Sequence, residues 1–103
     1  MSDYQHPYRD TEFVLNQLVG FDALCEAAGL DGINMELAST VVEEAGKLGS
    51  GVLAPLNKDG DHKGATIDAE GVQQTPGFKE AYLQMIEGGW LSLAAPEEFG
   101  GQG

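Results

Sequence analysis

Cations are scarce in this chain. Five lysines and arginines face seventeen aspartates and glutamates, a net charge of -12. That shortage excludes nucleic acid as a partner, because phosphate binding needs clustered Lys and Arg. It argues equally against an anionic membrane surface. Cysteine is almost missing as well. Cys25 stands alone, so no internal disulfide can form. With Leu24, Ala27 and Ala28 around it, it reads as a small buried hydrophobe in a reducing compartment, the cytoplasm. No His or Lys lies close in sequence to activate the thiol. No apolar run approaches the roughly 20 residues of a membrane span, and no basic segment followed by an apolar one opens the chain.

What is present is enough for a globular fold: 103 residues, 42% of them hydrophobic. A chain of this length buries only about 60–65% of the surface its unfolded form exposes, so the core is expected to be thin. The periodicity predicts an all-α fold, a small bundle of about four helices. Residues 1–9 read as an extended lead-in. Asp10 is placed to cap a helix over 10–19, with Val14, Leu15, Leu18 and Val19 at helical spacing and Gly20 as the stop. Asp22 caps a short second helix, 22–28, closed by Gly29. Asn34 caps the strongest element, 34–53, in which Ala38, Val41, Val42, Ala45, Leu48 and Val52 share a stripe. Glu43 and Lys47 pair across its polar face. Gly46, Gly49 and Gly51 each weaken that helix by roughly 1 kcal/mol relative to Ala, and their small size permits close approach of a neighbour.

Pro55 is expected to end the third helix, since the residue before a proline avoids the helical region. Residues 55–75 are polar and glycine-rich with no period, and read as a long loop. Thr75 then caps a fourth helix, 76–88, with Pro76 in its first position and Phe78, Tyr82, Met85 and Ile86 as its apolar stripe. Gly88-Gly89 ends it. The tail carries Trp90, Leu91, Leu93 and Phe99 and finishes in Gly100-Gly101-Gln102-Gly103, where no structure is expected to close. Large apolar groups just before such an ending read as the beginning of something longer.

Several constellations point to chemistry only weakly. Asn57, Asp59 and Asp61 alternate, with Asp68 where the last ligand of a calcium loop would fall. The sixth position of such a loop must be Gly and is His62, and the twelfth prefers Glu, so a solvated turn is the better reading. His6 and His62 lack a third ligand at any metal-site spacing. Glu43-Glu44 sits on the polar face of a helix, and Glu97-Glu98 is placed to cap or line a turn. No Asp-Ser-Leu marks the attachment site of an acyl carrier protein. No Gly-x-Gly-x-x-Gly follows a strand, and the glycines of 100–103 precede no helix within the chain, so they are not read as a phosphate cradle. A catalytic residue, a cofactor ligand or a metal ligand is therefore assigned to none of these positions.

One set of segments carries a family likeness. Thr75-Pro76-Gly77-Phe78-Lys79-Glu80-Ala81-Tyr82, Glu87-Gly88-Gly89-Trp90 and Ala95-Pro96-Glu97-Glu98-Phe99-Gly100-Gly101-Gln102-Gly103 resemble the acyl-CoA dehydrogenase family. The likeness is nearest to the subgroup with an N-terminal extension, which includes 3-methylmercaptopropionyl-CoA dehydrogenases. Tyr4, Pro7, Arg9-Asp10 and Phe13-Val14-Leu15 match the extension, and Leu53 to Asn57, Gly60-Asp61 and Gly64 match the segment after the long helix.

The resemblance implies a single helical domain over 1–103: an extension at 1–33 and, at 34–103, an incomplete N-terminal dehydrogenase domain. It implies an oxidoreductase parent, a flavoprotein of fatty acid metabolism that uses FAD to dehydrogenate an acyl-CoA thioester between its α and β carbons. The family's flavin-binding and catalytic-base motifs have no position here to map onto, so the chain alone is expected to be inactive and to bind no FAD. Trp90, Phe99, Gly100 and Gly101 are expected at a substrate pocket or a domain interface. The expected partners are the remaining domains, acyl-CoA in the parent, and a second copy in a homodimer. A non-catalytic acidic helical interaction module is the alternative.

Overall fold

A computed structural model describes residues 4–103. Helices dominate, with one small antiparallel hairpin, as the periodicity predicts. The chain divides into two compact units, Met1–Pro55 and Leu56–Gly103. Among the described residues no large side chain is completely buried; Cys25, Ala81 and Thr75 are the buried side chains of the interior. The core is as thin as the chain length implies.

In the first unit, α1 (Tyr8–Glu12) starts two residues before the expected cap. Asp10 lies inside its first turn, and Pro7 takes the N-cap without a side-chain hydrogen bond. The lead-in is therefore shorter than 1–9; its residues 1–3 lie outside the described residues. Tertiary contact explains the shift. Tyr8 Oη donates to the Glu43 carbonyl at 3.3 Å, and His6 Nε2 meets Thr11 Oγ1 at 2.8 Å. These contacts hold Tyr8 in place against a partner far along the chain. The helix continues as a wider π-helical stretch, Phe13–Val19, and Gly20 ends it with a left-handed φ of 67°.

Helix α2 (Phe21–Ala27) buries Cys25, as expected of a small hydrophobe. Asp22 does not cap it. Its Oδ1 accepts instead from the Met35 N–H at 2.6 Å, at the head of the next helix. That helix, α3 (Met35–Leu48), is capped as predicted: Asn34 Oδ1 accepts from the Leu37 N–H at 2.9 Å. Ala38, Val41, Val42, Leu48 and Val52 are half-buried, while Ala45 is exposed and the deepest position is Gly46. Lys47 bonds Glu44 at 2.6 Å and reaches Glu43 at 3.9 Å. The Glu44 hydrogen bond, with its charge and that of Glu43, raises the Lys47 ammonium above its ordinary pKa.

Pro55 does not stop the helical run, and residues 55–75 are not a loop. A π-helical segment, Gly49–Leu53, leads into α4 (Ala54–Lys63). Pro55 is the second residue of α4 and directly follows the wider π-helical turns. Helix α4 has no apolar stripe to betray it. Its Leu56 covers Gly77, its Gly60 lies under the Phe78 ring, and Lys63 pairs with Asp59 at 3.7 Å. Asn57, Asp59 and Asp61 are thereby placed on a helix, where alternate residues diverge and cannot encircle an ion.

The hairpin follows, β1 (Thr66–Asp68) against β2 (Gly71–Gln73), with Ile67 opposite Val72. Asp68 Oδ1 accepts from the Glu70 N–H at 2.8 Å and fixes the turn. Thr75 does not cap the last helix. It is 3% exposed, and its Oγ1 donates to the Gly64 carbonyl at 3.0 Å, tying the two ends of the hairpin segment together. Helix α5 (Phe78–Glu87) is capped by Gly77 at φ 95°. Its buried face is also rotated from the expected stripe. Ala81 is buried and Met85 half-buried, whereas Phe78, Tyr82 and Ile86 are exposed.

Candidate functional site

The four residues singled out by the sequence lie on one stretch of the second unit, and local geometry gives them different surroundings. Helix α5 ends as predicted at Gly88-Gly89. The Gly88 N–H still bonds the Gln84 carbonyl at 3.0 Å, and Gly89 turns left-handed at φ 75°. That turn starts a short 3-10 turn, Trp90–Ser92. Trp90 is half-buried, and its indole folds back over Gly88, where a Cβ would lie 2.8 Å from Cδ1 and Nε1. Gly88 is thus a seat for the indole as well as a helix stop.

A second 3-10 turn, Glu97–Phe99, opens after Pro96. Contrary to expectation, the glycine-rich end does close. Phe99 N–H bonds Pro96 O at 3.0 Å, Gly100 N–H bonds Glu97 O at 2.9 Å, Gly101 N–H bonds Pro96 O at 3.1 Å, and Gly103 N–H bonds Ala95 O at 2.9 Å. Gly100 supplies the left-handed residue, φ 85°, that lets the chain double back. Gly101 is buried, and any Cβ on it would collide with the Ala95 carbonyl. Phe99 points away from all this, 76% exposed. The fold therefore brings Phe99, Gly100 and Gly101 into one closed loop and seats Trp90 on the helix end before it.

This arrangement does not fit a flavin. A glycine that cradles a cofactor leaves room for a ligand, but the room at Gly101 is taken by the chain's own Ala95. Gly100 serves the turn that folds the chain back onto Ala95 and Pro96.

Elsewhere, the open hollow of about 490 Å³ lined by Asp22, Glu26, Asp31, Asn34 and Glu36 is acidic. Its Asp22 and Asn34 already accept backbone N–H groups of Met35 and Leu37. Among the described residues no group of three His, Cys, Asp or Glu is placed to hold a metal ion. His6 serves Thr11 and packs edge-on to Tyr8, with ring centroids 5.0 Å apart. His62 falls in the last turn of α4. Sequence reasoning missed Gly88 and Ala95 as parts of this site. The Gly-Gly-Trp succession was a signal for the first; the second acts through its carbonyl, which any residue carries.

No family model matches the chain. Among individual proteins, it is 34% identical over 100 residues to the 3-methylmercaptopropionyl-CoA dehydrogenase of Ruegeria pomeroyi. It is 26% identical over 103 residues to the broad-specificity linear acyl-CoA dehydrogenase FadE5 of Mycobacterium tuberculosis. The matches take in 97% and 98% of this chain. They take in 17% of each relative, so the chain spans about one sixth of the length of the curated relatives it matches. The acyl-CoA dehydrogenase likeness read from motifs all along the chain is thereby borne out over nearly its whole length.

Proposed function

We propose that these 103 residues are the N-terminal segment of an FAD-dependent acyl-CoA dehydrogenase, which dehydrogenates the acyl group of an acyl-CoA thioester. The observation that carries this reading is the similarity across 97% of the chain to a dehydrogenase of 3-methylmercaptopropionyl-CoA. The second relative is by name a dehydrogenase of linear acyl-CoA, and acyl-CoA is what the two have in common. In this reading residues 1–33 are an extension and 34–103 an incomplete N-terminal domain. Their task is structural: to pack against the remaining domains and to bring Trp90, Phe99, Gly100 and Gly101 to the substrate pocket or to a domain interface. Flavin and catalytic-base contacts belong to the rest of the protein, and the segment alone is inactive.

The cytoplasm remains the proposed compartment. Among the described residues no helix is long and apolar enough to cross a membrane. The exposed Phe78, Tyr82 and Ile86 of α5 support self-association of the isolated chain, as a symmetric dimer. Light scattering at rising salt, where screening weakens the repulsion of the -12 charge, reads that state.

The decisive experiment is to read the open reading frame past Gly103 in intact genomic DNA and express the product. A flavin absorbance that bleaches on addition of acyl-CoA is the expected result. A stop codon after Gly103 sinks the reading and favours the acidic interaction module.

A further inference from the structure

The closed loop from Ala95 to Gly103 has one large apolar side chain, Phe99, and holds it out in solvent. Four main-chain hydrogen bonds join the loop to itself, at 2.9–3.1 Å. Pro96 presets the entry, with φ -58°. Gly100 occupies a left-handed conformation, and Gly101 lies packed on the Ala95 carbonyl. A loose tip could turn a phenyl ring inward; this backbone is braced at both ends and leaves Phe99 76% exposed. The preceding turn adds Leu91, 57% exposed, and Leu93. Rigid presentation of an aromatic side chain is the arrangement that lowers the entropic cost of docking, and aromatic anchors dominate interface energetics.

We infer that Phe99 is an anchor that inserts into an apolar recess in the remainder of the same polypeptide, with the loop Ala95–Gly103 as its preformed mount. The inference rests on the reading of this chain as part of a longer dehydrogenase, and it names what the loop touches there. Length and charge favour that occupant over a second copy. The relatives place 17% of their length against this chain and the rest outside it. Glu97 and Glu98 flank Phe99, and each copy carries -12, so two loops meeting head-on would bring like charges together.

The test uses the full-length protein with Phe99→Ala and Phe99→Leu, read by thermal midpoint, by KM and kcat for acyl-CoA, and by amide exchange at 100–103. The expected result is a Tm lowered by several degrees in Phe99→Ala and largely restored in Phe99→Leu. Exchange at 100–103 should report a loop still closed. An unchanged Tm overturns the inference. So does a raised KM with unchanged Tm, which would put Phe99 on the acyl chain instead. If the unsubstituted protein binds no flavin and oxidises no acyl-CoA while Phe99→Ala still lowers Tm, the anchor stands and the dehydrogenase reading falls.

Discussion

Tyr8 occupies the space in which Gly46 would carry a side chain. A Cβ built on Gly46 would collide with the phenol oxygen and lie 2.8 Å from Cζ. The same phenol donates to the Glu43 carbonyl, one turn earlier on α3. A glycine that weakens the helix by its own propensity is therefore the feature that lets α1 dock on it.

Gly46→Ala is expected to destabilise the protein, although alanine is the better helix former. Overpacking costs about 1–3 kcal/mol, and the helix gain returns roughly 1 kcal/mol. Denaturant unfolding checks it, with Tyr8→Ala as the second arm of a cycle. In the Tyr8→Ala background the Gly46→Ala change should become neutral or stabilising. A plain stabilisation with Tyr8 intact would remove the aromatic ring from this helix face.

Thr75→Val should cost about 1–2 kcal/mol, since it keeps shape and deletes a donor to the buried-side Gly64 carbonyl at 3.0 Å. Thr75→Ser should retain most of the stability. The same hydrogen bond holds the ends of the hairpin segment, so amide exchange at Ile67 and Val72 should accelerate in the valine variant. Equal exchange in valine and serine variants would count against the tie.

Gly101→Ala is expected to open the last loop, because the new methyl meets backbone, which cannot step aside. Gly100→Ala should cost only the left-handed strain of about 1–2 kcal/mol. Exchange of the Gly103 amide, bonded to Ala95 O at 2.9 Å, discriminates them. It should lose protection in Gly101→Ala and keep most of it in Gly100→Ala.

Lys47 gives a pH dependence of known sign. Its pKa is raised in the folded state, first by the Glu44 hydrogen bond. A raised pKa contributes stability that is fully present below the unfolded value of 10.5 and is lost as pH rises through the folded one. The difference between the parent chain and Lys47→Met should therefore be flat around neutrality and shrink above pH 10.5. The pair is exposed, so the difference should also be small and should weaken with salt.

The isolated chain of 103 residues is expected to purify without flavin absorbance and to oxidise no acyl-CoA. A yellow preparation that survives gel filtration would place a flavin site within these residues and contradict the packing seen at Gly101.

Periodicity and caps carried the fold where the code is local. Asn34 caps α3, Gly20 stops the first helical run, Gly88-Gly89 stops α5 and Cys25 is buried, each through an interaction within a few residues or a simple apolar preference. The candidate site was legible as a set of positions, Trp90, Phe99, Gly100 and Gly101, but not as a shape. The closing bonds of the loop run between main-chain atoms, which leave no mark in residue type.

Sequence by itself thus determined the all-α character, the thin core, and a likeness to acyl-CoA dehydrogenases that depends only on the order of residues. Tertiary structure alone decided the rest. Asp22 and Thr75 are equally good caps by chemistry, yet each bonds a group 13 or 11 positions away instead. Helix α4 has no apolar stripe, and Leu56 and Phe78 pack around its glycine-spaced contacts with α5. Ala81, not Tyr82, is the buried side chain of α5. A capping oxygen or an apolar ring satisfies whichever partner the folded chain brings within reach, and that choice is made by packing, not by sequence neighbours.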